Sequence, residues 1–158
     1  MVICGDEIIQ VAASERKRPM LYGEFQHNMD QKGRVTIPLK FREDLGDKFY
    51  VCKGLDNCLF VYSESQWQSL IDKIADMPVV QARSIQRFMF AGAADVELDK
   101  QGRILLPASL REYAGLTREV TVTGSGSRAE IWDSAAWKAY MDKQTQEGLE
   151  NAMEALGI

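Results

Sequence analysis

Apolar and polar residues alternate with a two-residue period in several short runs, and elsewhere recur every three or four residues. The chain therefore predicts short strands interleaved with helices. Strands are expected over 22–29, 35–37, 48–53 and 58–62, and again over 94–98, 104–106, 119–123 and 129–132. Two short helices, 39–45 and 108–114, each follow a proline (Pro38, Pro107) and end before a glycine (Gly46, Gly115). Proline suits a helix start, where its missing N–H is not needed, and glycine suits the position after a helix end. Longer amphipathic helices follow. Trp67, Leu70, Ile71 and Ile74 form a stripe within 64–77, which Pro78 interrupts, and Ile85, Phe88 and Met89 mark a second helix over 80–91. From Ser134 onward, Trp137, Met141, Leu149, Met153 and Leu156 continue a helical pattern that Gly148 weakens. These stripes read as core or subunit contacts.

The pattern repeats. Laying residues 23–46 over 92–115, an offset of 69, superposes Asp30 on Asp99, Gly33 on Gly102, Arg34 on Arg103 and Pro38 on Pro107. Arg42 falls on Arg111, Glu43 on Glu112, and the flanking glycines also coincide, making eight identities in 24 positions. After a one-residue slip, Val61 and Tyr62 match Ile131 and Trp132, and Trp67 matches Trp137. The chain thus contains a duplicated unit. One unit of about 45 residues buries little core and leaves strand edges open. Two copies that cover each other and interleave solve both problems, and would present their two Asp-x-x-Gly-Arg turns together.

Composition narrows the functional classes. With 158 residues, 46% hydrophobic and 27% charged, the chain fits a globular protein, and no apolar run reaches the length of a membrane span. Residues 1–19 carry Asp6 and Glu7 where a secretory leader is uncharged, so they read as a flexible extension, with Met20 as an alternative start or an ordered strand as the other reading. The cysteines Cys4, Cys52 and Cys58 and the single His27 lack the number and spacing of a zinc site, so neither metal nor cofactor is expected, and the thiols fit a reducing cytoplasm. His27 reads as a surface or half-buried residue, not a general base. The serine–glycine link at 124–127 lacks the lysine of a phosphate loop and reads as a flexible hairpin connection. No nucleophile or metal constellation suggests an enzyme.

Charge then points to a partner. The net charge is −4, yet residues 31–42 hold Lys32, Arg34, Lys40 and Arg42 without an acid, and residues 100–111 hold Lys100, Arg103 and Arg111 without one. Arginine after a turn glycine, at the start of a strand, projects from a rigid edge and can grip phosphate or guanine with two parallel bonds. Lys32, Arg34, Lys100 and Arg103 are the expected DNA contacts. Asp30, Gly33, Asp99 and Gly102 are the expected framework of the turns. The competing reading makes Asp30–Arg34 and Asp99–Arg103 purely structural ion pairs. Arg42 and Arg111 are expected in salt bridges with nearby acids as readily as on DNA.

The two Asp-x-x-Gly-Arg segments, with Tyr22-Gly23-Glu24 before the first and Glu130-Ile131-Trp132 after the second, resemble the MraZ family. These are bacterial transcription regulators built of two SpoVT/AbrB-type swapped-hairpin units. The resemblance runs from Met20 to about Trp137. It implies an α+β, β-rich fold: tandem swapped-hairpin units forming a pseudo-twofold β-barrel, with flanking helices. The division would be unit one over 20–67, connecting helices over 68–91, unit two over 92–137 and a C-terminal helical tail over 138–158. The implied function is cytoplasmic and nucleoid-associated: a ring-shaped homo-oligomer binding direct repeats of double-stranded DNA in the promoter of the division and cell-wall gene cluster. The alternatives are a ring-forming protein–protein interaction module and an AbrB-type antitoxin.

Overall fold

A computed structural model describes residues 20–158, so Cys4 and the expectations for 1–19 lie outside the described residues. The first copy contributes β1 (Leu21–Asn28), β2 (Arg34–Thr36), α1 (Leu39–Leu45), β3 (Lys48–Lys53) and β4 (Leu59–Ser63). Helices α2 (Glu64–Ala75) and α3 (Val79–Ile85) follow, and α3 runs on into a wider turn over Gln86–Phe90. The second copy supplies β5 (Ala94–Glu97), β6 (Arg103–Leu105), α4 (Ala108–Ala114), β7 (Glu119–Gly126) and β8 (Ala129–Asp133). Helices α5 (Ser134–Asp142) and α6 (Gln146–Ala155) close the chain.

The strands exchange partners between the copies. One antiparallel sheet runs β1-β7-β8-β4-β3-β5, and β2 pairs with β6 in a separate two-stranded ribbon. Each copy's first strand therefore lies against the other copy's hairpin: β1 on β7 from Leu21–Gly126 to Asn28–Glu119, and β5 on β3 from Ala94–Val51 to Glu97–Lys48. Phe60 faces Glu130 where β4 meets β8, and Val35 faces Ile104 where β2 meets β6. These pairs join equivalent positions of the duplication, so a pseudo-twofold axis passes through both.

Strand alternation sorts the side chains into two layers. Phe49, Val51, Leu59, Val61, Ala129 and Ile131 enter one core, which they share with Val35, Ile104, Phe41 and Leu110. The opposite positions Cys52, Phe60, Tyr62 and Trp132 enter an aromatic layer under the helices, with Trp67, Trp137 and Tyr140. Phe41 of α1 and its counterpart Leu110 of α4 are fully buried. Truncating Phe41 to alanine is expected to cost about 3–5 kcal/mol through lost burial and a residual cavity. Burial pushes the thiols of Cys52 and Cys58 up to about 12.

The structure corrects two expectations. The link over 124–127 is mostly strand, because β7 continues through Gly126 to stay paired with β1. A side chain at Gly124 would strike the backbone of Leu21 and Tyr22, so the glycine allows two chains to lie close. The tail divides at 143–145 and not at Gly148. Thr145 caps α6, its Oγ1 accepting the Gly148 N–H at 3.0 Å. Gly148 thus sits in the first turn of a new helix. Capping also fixes the start of α2, through Ser63 to the Gln66 N–H, and of α5, through Asp133 to the Ala136 N–H.

Candidate nucleic-acid interface

The β2–β6 ribbon sets the geometry. Arg34 stands opposite Leu105, Val35 opposite Ile104, and Thr36 opposite Arg103. Because side chains alternate along a strand, Arg34, Thr36, Arg103 and Leu105 share one face and Val35 and Ile104 the other. Val35 and Ile104 are fully buried, so the first face is the outward one. Leu105 is 59% exposed there, an unusual setting for a large apolar side chain. The structure therefore gathers the two arginines, which lie 69 positions apart, on one small surface. Thr36 and Leu105 were not singled out from the sequence. The signal that would have found them is their two-residue spacing from Arg34 and Arg103.

Each arginine is held by the aspartate of its own turn. The Asp30 Oδ1 accepts the N–H groups of Lys32 at 3.0 Å and Arg34 at 2.8 Å, while Oδ2 accepts from the Arg34 Nε. The Asp99 Oδ1 accepts from the N–H groups of Gln101 and Arg103 at 2.9 Å, and its Oδ2 from the Arg103 Nε at 2.9 Å. These donors, the Arg34 and Arg103 backbone N–H groups foremost, hold both carboxyls below the usual carboxylate range. The copies also touch: the Arg103 Nη1 lies 3.8 Å from the Asp30 Oδ2. Both ion pairs of the competing structural reading are thus present, yet each uses only the Nε edge of its guanidinium closely. Arg34 and Arg103 keep side-chain exposures of 32% and 25%.

The glycines and helix arginines lock the copies together. Gly33 and Gly102 have φ of +86° and +76°, where a Cβ is strained. Their carbonyls accept the N–H groups of Leu106 and Ile37, each from the opposite copy, at 3.0 Å. The Arg111 guanidinium packs on Gly33 and that of Arg42 on Gly102. The Nε of Arg42 donates to the Ile37 carbonyl at 2.9 Å and that of Arg111 to the Leu106 carbonyl at 3.1 Å. Among the described residues neither forms the salt bridge with an acid that the sequence suggested; backbone carbonyls in the interlocked turns accept from them instead. The space beside the two glycines is filled by these arginine side chains.

Lys32 and Lys100 are exposed in the turns, flanking the ribbon. They are not equivalent, for the order Gln31-Lys32 is reversed in Lys100-Gln101. Lys40 has its Nζ over the Tyr22 ring, 3.3 Å from the centroid. His27 is half-buried on β1, and burial, then the Arg42 charge, lower its pKa. Among the described residues no helix is long and apolar enough to cross a membrane, and no cluster of three metal-ligating side chains occurs.

Comparison with known proteins agrees with the duplication. A family model described as "MraZ protein, putative antitoxin-like" matches twice in succession, over residues 20–88 and 89–156. The chain is 51% identical over 143 residues to the transcriptional regulator MraZ of Acetivibrio thermocellus, covering 88% of this chain and all of that one. Identity is 49% to the protein of the same name from Halothermothrix orenii, with the same coverage. It is 53% over 123 residues to that of Desulforamulus reducens, covering 77% of this chain and 87% of the relative. With two family matches spanning nearly all of the described residues and interleaved copies to explain them, the chain belongs to the MraZ family.

Proposed function

We propose that this chain is a sequence-specific DNA-binding transcriptional regulator that lays the outward face of the β2–β6 ribbon in the DNA major groove. The observation that carries the reading is the convergence of Arg34 and Arg103 on that face, with Thr36 and Leu105 between them. A two-stranded ribbon fits the width of the major groove, and arginine pairs there with the O6 and N7 of guanine. In this reading Arg34 and Arg103 read bases or clamp phosphate, and Lys32 and Lys100 contact phosphate. Asp30 and Asp99 fix the arginine Nε, leaving the terminal nitrogens to donate to DNA. Gly33 and Gly102 let the two turns interlock.

The remaining parts of the reading follow the family. The sheet curls around the shared core as a barrel, with units over 20–67 and 92–137, a connecting segment over 68–91 and a tail over 138–158. One protomer offers few cations within an acidic chain, so its binding is weak and salt-sensitive. A ring of protomers on direct repeats multiplies that affinity without new contacts. The target is the promoter of the division and cell-wall gene cluster, and the setting is the cytoplasm and nucleoid.

Fluorescence anisotropy tests the proposal. Parent protein and the Arg34→Ala and Arg103→Ala variants are titrated with duplex DNA from upstream of the gene, at two salt concentrations, against a scrambled duplex. Tight binding to the upstream duplex alone, lost in folded variants, supports it. Equal weak binding to both duplexes sinks it and favours a second reading, a protein-binding ring, in which the Asp30–Arg34 and Asp99–Arg103 ion pairs are purely structural.

A further inference from the structure

The outward face of the β2–β6 ribbon is twofold in its arginines but not in its other residues. Arg34 and Arg103 are equivalent under the duplication, and so are Thr36 and Leu105. The register sets Arg34 beside Leu105 and Arg103 beside Thr36. One end of the face is therefore arginine with an aliphatic side chain, and the other is arginine with a hydroxyl. The arginines themselves differ. The Arg103 Nη1 lies 3.8 Å from the Asp30 Oδ2, whereas among the described residues Arg34 pairs with its own Asp30 alone.

Leu105 is the unexpected member, 59% exposed on a face that carries two guanidinium groups. An aliphatic side chain has no bond to offer phosphate, and exposing it to water costs free energy. A face that only held the DNA backbone would gain nothing from it. In the major groove one feature matches it, the 5-methyl group that thymine presents among the base edges. Directly paired residues of an antiparallel ribbon have Cβ atoms about 4.5–5.5 Å apart. That spacing is comparable with the step of about 3.4 Å between successive bases. Leu105 can therefore reach the base pair next to the one that Arg34 grips.

We infer that Leu105 is a specificity-determining residue: it packs on the 5-methyl of a thymine adjacent to the guanine that Arg34 reads. Thr36, whose hydroxyl both donates and accepts, leaves the Arg103 end tolerant of the neighbouring base. The consequence is polarity. Two arginines related by a pseudo-twofold axis bind a site equally well in either direction. The leucine breaks that tie, so each protomer lies on its repeat in one orientation, as direct repeats require. The inference rests on the DNA-binding reading above and names a base feature which that reading leaves open.

Removing the methyl tests it without knowledge of the operator. The upstream duplex is prepared with every thymine replaced by deoxyuridine, which keeps the pairing edge and loses only the 5-methyl, and is compared with the natural duplex by anisotropy. The parent should bind the deoxyuridine duplex about fourfold more weakly for each protomer engaged. Leu105→Ala, at an exposed position clear of the core, should bind the natural duplex more weakly by a similar factor and no longer distinguish the two. Thr36→Ala should keep the distinction. Replacing thymine in one strand at a time should put the parent's loss on a single strand, because every repeat is read in the same direction. If the parent still prefers upstream to scrambled DNA but binds both duplexes alike, or if Leu105→Ala shares its loss in full, the inference falls and the DNA-binding reading stands. Equal losses from the two strands would overturn the polarity. A parent that binds upstream and scrambled duplexes alike overturns both together.

Discussion

The guanidinium of Arg111 lies against Gly33, a residue of the other half of the chain, so closely that a Cβ on the glycine would come within 2.6 Å of the arginine Nε. The same contact repeats between Arg42 and Gly102. Sequence and fold meet at this point: a glycine wanted for its turn is also wanted for the space it leaves. Gly33→Ala combines a strained backbone at φ +86° with displacement of Arg111. A loss of about 1–3 kcal/mol in urea unfolding is expected. An unchanged midpoint would mean that the interlock contributes nothing.

Acid should loosen the turns. The folded-state pKa values of Asp30 and Asp99 lie below their ordinary values, so the stabilisation from their ionised forms is present above the unfolded-state pKa. It is lost as pH falls through the folded-state values. An Asp30→Asn, Asp99→Asn double variant should therefore be less stable than the parent at neutral pH. The gap should narrow below about pH 4. Thermal melts across pH check this, and a gap that widens in acid would contradict it.

Glu130 stands in the aromatic layer, on the pseudo-twofold axis. It faces Phe60 across β4–β8, accepts the Trp132 Nε1–H at 3.1 Å and pairs with the Arg128 Nη2 at 3.0 Å. The Arg128 guanidinium in turn stacks on Phe60. Glu130→Ala leaves a buried indole N–H and a cation without their acceptor, at a cost of about 1–3 kcal/mol. Glu130→Gln keeps an acceptor for the indole and should lose less. Chemical denaturation of both variants ranks them, and equal losses would assign the whole effect to charge.

Two thiols should stay silent. Cys52 and Cys58 are buried and raised to about 12, so the nucleophilic thiolate is scarce near neutral pH. Alkylation followed by peptide mapping should leave both unmodified in native protein and label both in denaturant. Labelling under native conditions would reveal local opening of the aromatic layer.

Lysine and arginine should separate on DNA. If Arg34 and Arg103 read bases, alanine at either costs about 1–3 kcal/mol and relaxes discrimination. Alanine at Lys32 or Lys100 should weaken binding to every sequence alike and lower the salt dependence. Anisotropy against single-base operator variants distinguishes the two patterns.

Much of the local structure was legible because short-range chemistry sets it. The segments Pro38 to Gly46 and Pro107 to Gly115 bracket α1 and α4 at their observed bounds, since a proline and a glycine frame each helix. Pro78 likewise heads α3. The duplication also announced that the copies interleave. What the sequence withheld was set by distant partners. Gly124 and Gly126 read as a link because glycine is poor strand material, and only the pairing with Gly23 and Leu21 makes them strand. Arg42 and Arg111 looked available to acids because nothing local shows the carbonyls waiting in the other copy's turn. Lys32, Arg34, Lys100 and Arg103 were legible as candidates from the repeated turn, but Leu105 emerged only once β2 and β6 lay side by side.

The exchange of strands also bears on how the chain is made. Synthesis delivers β1, β2 and β3 long before β7, β6 and β5, against which they pair. Until Arg103–Leu105 has left the ribosome, β2 has no ribbon partner and Val35 no lid. Contacts between residues so distant in the chain close slowly, and unpaired strands are sticky while they wait. The emerging first half is then a hazard to its neighbours on the same messenger, since another nascent copy offers the same missing strands. Joining both copies in one polypeptide places the correct partner at high local concentration and shortens the interval in which a stranger can take its place.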